Sequence, residues 1–114
     1  MDESAPHDEG ICEIVVTGPD LDELAAITKK LLEAGLIACA HQSTIRATYI
    51  WRGEVVDEAE ARARLHTRTE LIEEVTRVVE AEHPYEVPCV MALPVIGGSV
   101  EYEDWVKETT ADAA

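Results

Sequence analysis

Apolar residues recur along this chain with two different periods, and the changes of period mark its elements. Cys12–Thr17 reads CEIVVT, a short β-branched run that predicts a buried strand. Gly18-Pro19-Asp20 interrupts it. Asp20 is suited to cap a helix, and Glu23 three residues later completes a capping-box pattern. The predicted helix carries Leu21, Leu24, Ala25, Thr28, Leu31 and Leu32 along one face. Gly35 is suited to end it.

Leu36–Trp51 predicts an entry segment and then a strand. Ile45, Ala47, Tyr49 and Trp51 share one face, and Thr44, Arg46, Thr48 and Ile50 the other. Arg52-Gly53 fits a two-residue turn. Glu54–Arg68 is divided between two rules. DEAEARARL favours helix by propensity, and could merge with the next segment into one long helix. By period, Ala59, Ala61, Ala63 and Leu65 alternate with Glu60, Arg62, Arg64 and His66, as a strand requires. The preceding turn tips the balance modestly toward a hairpin.

Thr69 is placed to cap a second helix with Leu71, Ile72, Val75, Val78 and Val79 on its apolar face, and His83-Pro84 stops it. Val87–Ile96 predicts a fourth strand, whose Pro88 and Pro94 suit an edge position or strand ends. After the turn at Gly97-Gly98, Ser99 caps a last helix, with Tyr102, Trp105 and Val106 expected to pack inward. The order is βαββαβ plus a terminal helix, an α+β, ferredoxin-like split βαβ sandwich with both main helices on one face of an antiparallel sheet. The domain is expected over residues 11–110, with an acidic tail at 1–10 and a short tail at 111–114.

Lengths argue for self-association. A hairpin of roughly 12 residues per strand reaches about 40 Å, whereas a helix of roughly 14 residues covers about 21 Å. The hairpin overhangs its helices, and its far end carries Tyr49, Ile50 and Trp51. Such an edge favours pairing with another subunit over a hairpin bent back on its own chain.

The 114 residues suit one core, 46% of them are hydrophobic, and Phe is absent. The formal net charge of −15 disfavours nucleic acid and anionic membrane as partners. It reads as a solvated surface, adapted to high salt, more readily than as a cation-attracting one; Lys29, Lys30 and Lys107 are its only lysines. Cys12, Cys39 and Cys89 are odd in number and lack CxxC spacing, which predicts reduced thiols in the cytoplasm. The apolar runs are too short to span a bilayer, and residues 1–10 do not have the pattern of a signal peptide. Templates for serine hydrolases, phosphate-binding loops, HExxH metalloproteases and dinucleotide folds are missing, so a binding role is expected rather than an enzyme.

VVTGPD, GLIACAHQ, ATYIWRGEV, HTRTEL, EHPYEVPCVMALPV and YEDWVKE, in this order and spacing, resemble the CutA divalent-cation-tolerance family over residues 12–110. The resemblance implies a ferredoxin-like homotrimer related in architecture to the PII signalling proteins, with Glu54–Arg68 as strand. It also implies a response to divalent metals, with copper binding described for some members. Those members carry a Cys in the first strand and a His-His-Pro-Tyr sequence; Val16 and Glu82 stand at the corresponding positions here. Where many members have Lys-Thr after the third strand, this chain has His66-Thr67.

The candidate metal ligands are His83, Glu82 and Cys39, completed by donors from other subunits. The plainer roles are a helix-end hydrogen bond for His83 and inert packing for Cys39. Tyr49, Trp51 and Trp105 are expected at the trimer interface. Arg62, Arg64, His66 and Arg68 form a basic stripe, read either as cross-strand charge pairing or as a pocket for a small anionic metabolite. A trimeric interaction scaffold is the remaining alternative.

Overall fold

The computed structural model describes residues 10–113. The tail expected at 1–10 lies outside the described residues except for Gly10, as does Ala114. The elements are β1 (Ile11–Gly18), α1 (Leu21–Glu33), β2 (Cys39–Trp51), β3 (Glu54–Arg68), a 3-10 turn (Thr69–Leu71), α2 (Ile72–Glu82), β4 (Val90–Pro94) and α3 (Val100–Thr109). One sheet runs in the order β2-β3-β1-β4, every neighbouring pair antiparallel. This is the ferredoxin-like arrangement.

Glu54–Arg68 is strand throughout. Arg52 and Gly53 both take positive φ, 52° and 83°, as a primed two-residue turn requires. Trp51 therefore faces Glu54, and the ladder continues without a bulge to Cys39 opposite His66. Alternation wins over helical propensity because Ala61, Ala63, Leu65 and Thr67 all point into the core.

The core lies between the sheet and α1/α2, built from Ile14, Val16, Leu24, Leu31, Ala63, Leu65, Val75 and Val79 among others. Asp20 caps α1 by accepting from the Glu23 amide at 2.8 Å. At the other end the Gly35 amide bonds Leu32 O and the Leu36 amide bonds Leu31 O, with Gly35 at φ 72°. That is a Schellman ending, and Leu36 is buried by it.

Several expectations are corrected. The buried face of α1 is Leu24, Ile27, Thr28 and Leu31; Leu21, Ala25 and Leu32 are exposed. Ile27 completes the i, i+3, i+4, i+7 series, and Leu32 is rotated off it. Thr69 caps nothing with its side chain, because residues 69–71 form a 3-10 turn and α2 starts after it without a side-chain cap. The fourth strand is limited to Val90–Pro94, at the edge expected for its prolines, so Cys89 precedes it. Ser99 does cap α3, accepting from the Tyr102 amide. Only Val106 of α3 is fully buried, against Ile11 and Ala38. Tyr102 and Trp105 keep 37% and 44% of their surface in solvent rather than packing inward. The reason is placement: α3 meets one end of the sheet face that α1 and α2 leave open, so only one side of this helix finds a surface. Beyond the helix, Thr110 is fully buried and Ala113 packs against the main core beneath α1 and α2.

Candidate functional site

Directly opposed positions on three adjacent strands bring chemistry together on the open face. Cys39 on β2 faces His66 on β3, and His66 faces Glu13 on β1. Side chains in such register stand about 5 Å apart at Cβ. Cys39 Sγ lies 3.6 Å from His66 Nδ1, and His66 Nε2 lies 2.9 Å from Glu13 Oε2. The imidazole thus stands between a thiol and a carboxylate, each on its own ring nitrogen.

Tyr102 closes the arrangement from the first turn of α3. Its hydroxyl is 2.5 Å from His66 Nδ1 and 3.1 Å from Cys39 Sγ. Glu13 can only accept when ionised, so His66 Nε2 carries the ring proton and Nδ1 accepts. The Tyr102 hydroxyl then donates to Nδ1 and accepts from the Cys39 thiol. Burial first, then its hydrogen bond to Cys39 and the charges of Cys39 and Glu13, hold the Tyr102 hydroxyl protonated well above the usual phenol range. Arg64 Nη1 reaches Glu13 at 3.4 Å, and the His41 ring meets His66 edge-on at 5.2 Å. A cavity of about 110 Å³ opens beside His66 and Tyr102, walled by Ile11, Val95, Glu103 and the Gly97–Ser99 turn.

The expected metal ligands are not gathered in one place. His83 is 8% exposed and both its nitrogens are engaged: Nε2 donates to Thr17 O at 2.7 Å, and Nδ1 accepts from the Tyr85 amide at 3.1 Å. Glu82 pairs with Lys30 at 2.7 Å on the surface. Cys39 belongs to the Glu13 end of β1 and His83 to the Thr17 end, four residues or about 13 Å of strand away. Among the described residues no three His, Cys, Asp or Glu side chains converge as a metal site.

The basic stripe lies along β3, but most of it is already paired. Arg64 and His66 share Glu13, and Arg68 holds Glu70 and Thr110. Arg62 differs, since its Nε is buried and finds no hydrogen-bond partner among the described residues. Tyr49 and Trp51 line a groove of about 800 Å³ between the hairpin and the α2–β4 connection, whereas Trp105 stands beside Tyr102 on α3. The same groove contains Tyr85, which donates to Glu60 at 2.5 Å.

Glu13 and Tyr102 were not identified as site residues from the sequence. The Cys39–His66 pairing had a readable signal, because counting back from the Arg52-Gly53 turn sets these two opposite each other. Nothing local sets the β1–β3 register that brings in Glu13.

The family model of the CutA1 divalent ion tolerance protein matches residues 12–109. The chain is 38% identical over 96 residues to the divalent-cation tolerance protein CutA of Archaeoglobus fulgidus, covering 84% of this chain and 94% of that one. It is 36% identical over 98 residues to the CutA of Thermus thermophilus, covering 85% and 95%. Among solved structures, the periplasmic divalent cation tolerance protein CutA from A. fulgidus superposes with a TM-score of 0.86 at 36% identity, covering 88% of this chain and 98% of that one. CutA1 from Oryza sativa superposes with a TM-score of 0.86 at 32% identity, covering 90% and 95%.

Proposed function

Since the chain belongs to the CutA divalent-cation-tolerance family, we propose that it works as a homotrimer that binds a divalent transition metal such as copper weakly, through donors from more than one subunit. One observation supports this above all: the hairpin runs past the helices that cover the sheet. β2 and β3 have 13 and 15 residues, α1 has 13, and the molecule is 47 Å long. At the tip Ile50 and Val55 are 65% and 70% exposed, with Tyr49 and Trp51 beside them. Apolar surface of this kind is stabilised by burial against a second copy. The edge strand β4 adds exposed Met91 and Leu93.

A shared metal site suits a chain whose described residues bring no three donors together. Glu82 is available at the cost of a surface ion pair, and His83 by releasing Thr17 O or the Tyr85 amide. Cys39 is left out of this set, because its sulfur faces His66 and Tyr102. We read the role as binding rather than catalysis.

Sedimentation equilibrium tests the assembly and should return three times the chain mass of 12.5 kDa. Calorimetric titration with copper(II) and zinc(II) tests the metal. Saturable binding weakened by Glu82→Gln or His83→Ala supports the reading; no saturable heat at micromolar metal would sink it. A second reading, a sensor of a small anionic metabolite, draws on the buried unpaired Nε of Arg62. Thermal shifts with nucleotides and organic acids test that one, and silence in both experiments favours a trimeric scaffold. The unpaired thiols support a reducing compartment such as the cytoplasm; fractionation of the cells against a periplasmic marker checks it.

A further inference from the structure

We propose that Cys39 is a reactive thiol, activated through Tyr102 and His66 and supported by Glu13, that exchanges with small cationic or uncharged disulfides. The proposal is independent of the metal reading above. Nucleophilic thiols need a base within reach and a third group to orient that base. Here the thiol meets Tyr102 at 3.1 Å, Tyr102 meets His66 Nδ1 at 2.5 Å, and His66 Nε2 meets Glu13 at 2.9 Å. Glu13 fixes the ring so that its free nitrogen faces Tyr102 and Cys39.

The chain's other thiols show the difference. Cys12 is 1% exposed, and burial pushes its thiol up to about 11, which leaves it inert. Cys89 is exposed, with no base hydrogen-bonded to it among the described residues. Cys39 is half-buried beside an imidazole.

The step balances as a thiol–disulfide exchange. The Cys39 proton passes to Tyr102 as the Tyr102 proton passes to His66 Nδ1, leaving a thiolate beside an imidazolium held by Glu13. The thiolate attacks one sulfur of the disulfide. A new S–S bond forms on Cys39 as the old one breaks, and the departing sulfur takes back the proton from His66 through Tyr102. The small disulfide is the oxidant, and one small thiol is released.

Recognition follows from the surroundings. The 110 Å³ cavity beside His66 and Tyr102 has apolar walls at Ile11 and Val95 and a carboxylate at Glu103. It suits a short aliphatic chain ending in an ammonium group. The charged and titratable groups facing His66 are Glu13 and Arg64 from β1 and β3, His41 from β2, and on α3 Glu103, which pairs with Lys107. The chain's formal charge of −15 attracts cations and repels anionic disulfides.

The test uses the full chain with cystamine as probe, dithiodiglycolate as its anionic counterpart and N-acetylcysteine amide as a free-thiol reference, read by intact mass and peptide mapping. At a pH of about 6, Cys39 should react at least about tenfold faster than the free thiol, whose rate follows its small thiolate fraction. Cystamine should outpace dithiodiglycolate by about tenfold at low salt, and the gap should shrink as salt is added. His66→Gln should slow Cys39 at least about tenfold near neutrality while leaving Cys89 unchanged, and Tyr102→Phe should do the same. If His66→Gln fails to fold, the unmodified chain decides through its pH profile: a Cys39 rate that falls in parallel with the free thiol below neutrality overturns the proposal. So does a Cys39 rate indifferent to His66→Gln, or a preference for the anionic probe.

Discussion

Tyr85, in the connection between α2 and β4, donates its hydroxyl at 2.5 Å to Glu60 in the middle of β3, a carboxylate only 6% exposed. This bond ties the α2–β4 connection to the hairpin and satisfies a charge that has left water. Burial first, then the bond and charge of Glu60, raise the Tyr85 hydroxyl well above the ordinary phenol range. Tyr85→Phe removes the donor and strands the carboxylate, so it should cost about 1–3 kcal/mol. Urea unfolding measures the loss. Adding Glu60→Gln to that variant should recover part of it, since a neutral amide is cheaper to leave unpaired.

Cys12 predicts an alkaline weakness. Burial raises its folded-state value from 9.0 to about 11, with a smaller opposing contribution from Thr69. Below the unfolded value both states are protonated. Between the two values the unfolded chain releases the proton and the folded chain keeps it, so stability falls as pH rises from 9 toward 11. The loss attributable to this thiol is roughly 2–3 kcal/mol. Tyr49, pushed up to about 12 by its bond to Glu58, adds to the decline at higher pH. Thermal melts across this range should slope less steeply for Cys12→Ala than for the unmodified chain.

Gly35 is the residue that lets α1 end. At φ 72° a Cβ is strained even though nothing lies within 4 Å to clash with it. Gly35→Ala should therefore cost about 1 kcal/mol through backbone strain alone. An equal or higher urea midpoint would show that the Schellman ending is not needed.

Charge sets the salt response. With 24 acidic and 9 basic residues, self-repulsion opposes the compact state. Molar salt cuts the screening length to about 3 Å. The melting temperature should rise from dilute buffer to molar potassium chloride by several degrees, and a flat or falling curve would remove the reading of the surface as salt-adapted.

Much of the scaffold was legible because it is written in local chemistry. Asp20 capping Glu23, Gly35 after α1, Ser99 before α3 and the Arg52-Gly53 turn each act within a few residues. The segment 54–68 was only half legible, because its Glu, Ala and Arg content favours helix while its alternation demands strand. The α1 face was misassigned at Leu21, Ala25, Leu32 and Ile27 because an alanine- and leucine-rich helix offers more apolar positions than one sheet can cover. Tyr102 and Trp105 were expected inward because nothing in their own segment shows how little surface α3 finds.

By itself, then, the sequence determined the ends marked by Asp20, Gly35 and Ser99, and the Arg52-Gly53 turn that sets the hairpin register and with it the pairing of Cys39 with His66, since each depends on neighbours in the chain or on a turn of known length. Only the tertiary structure decided that Glu13 and Tyr102 join that pair, that His83 is occupied by Thr17 and Tyr85, and that Glu60 is buried under Tyr85. Those contacts depend on the β1–β3 register and on where α3 and the α2–β4 connection land. Burial across the whole sheet sets these placements, and no short stretch of residues encodes it.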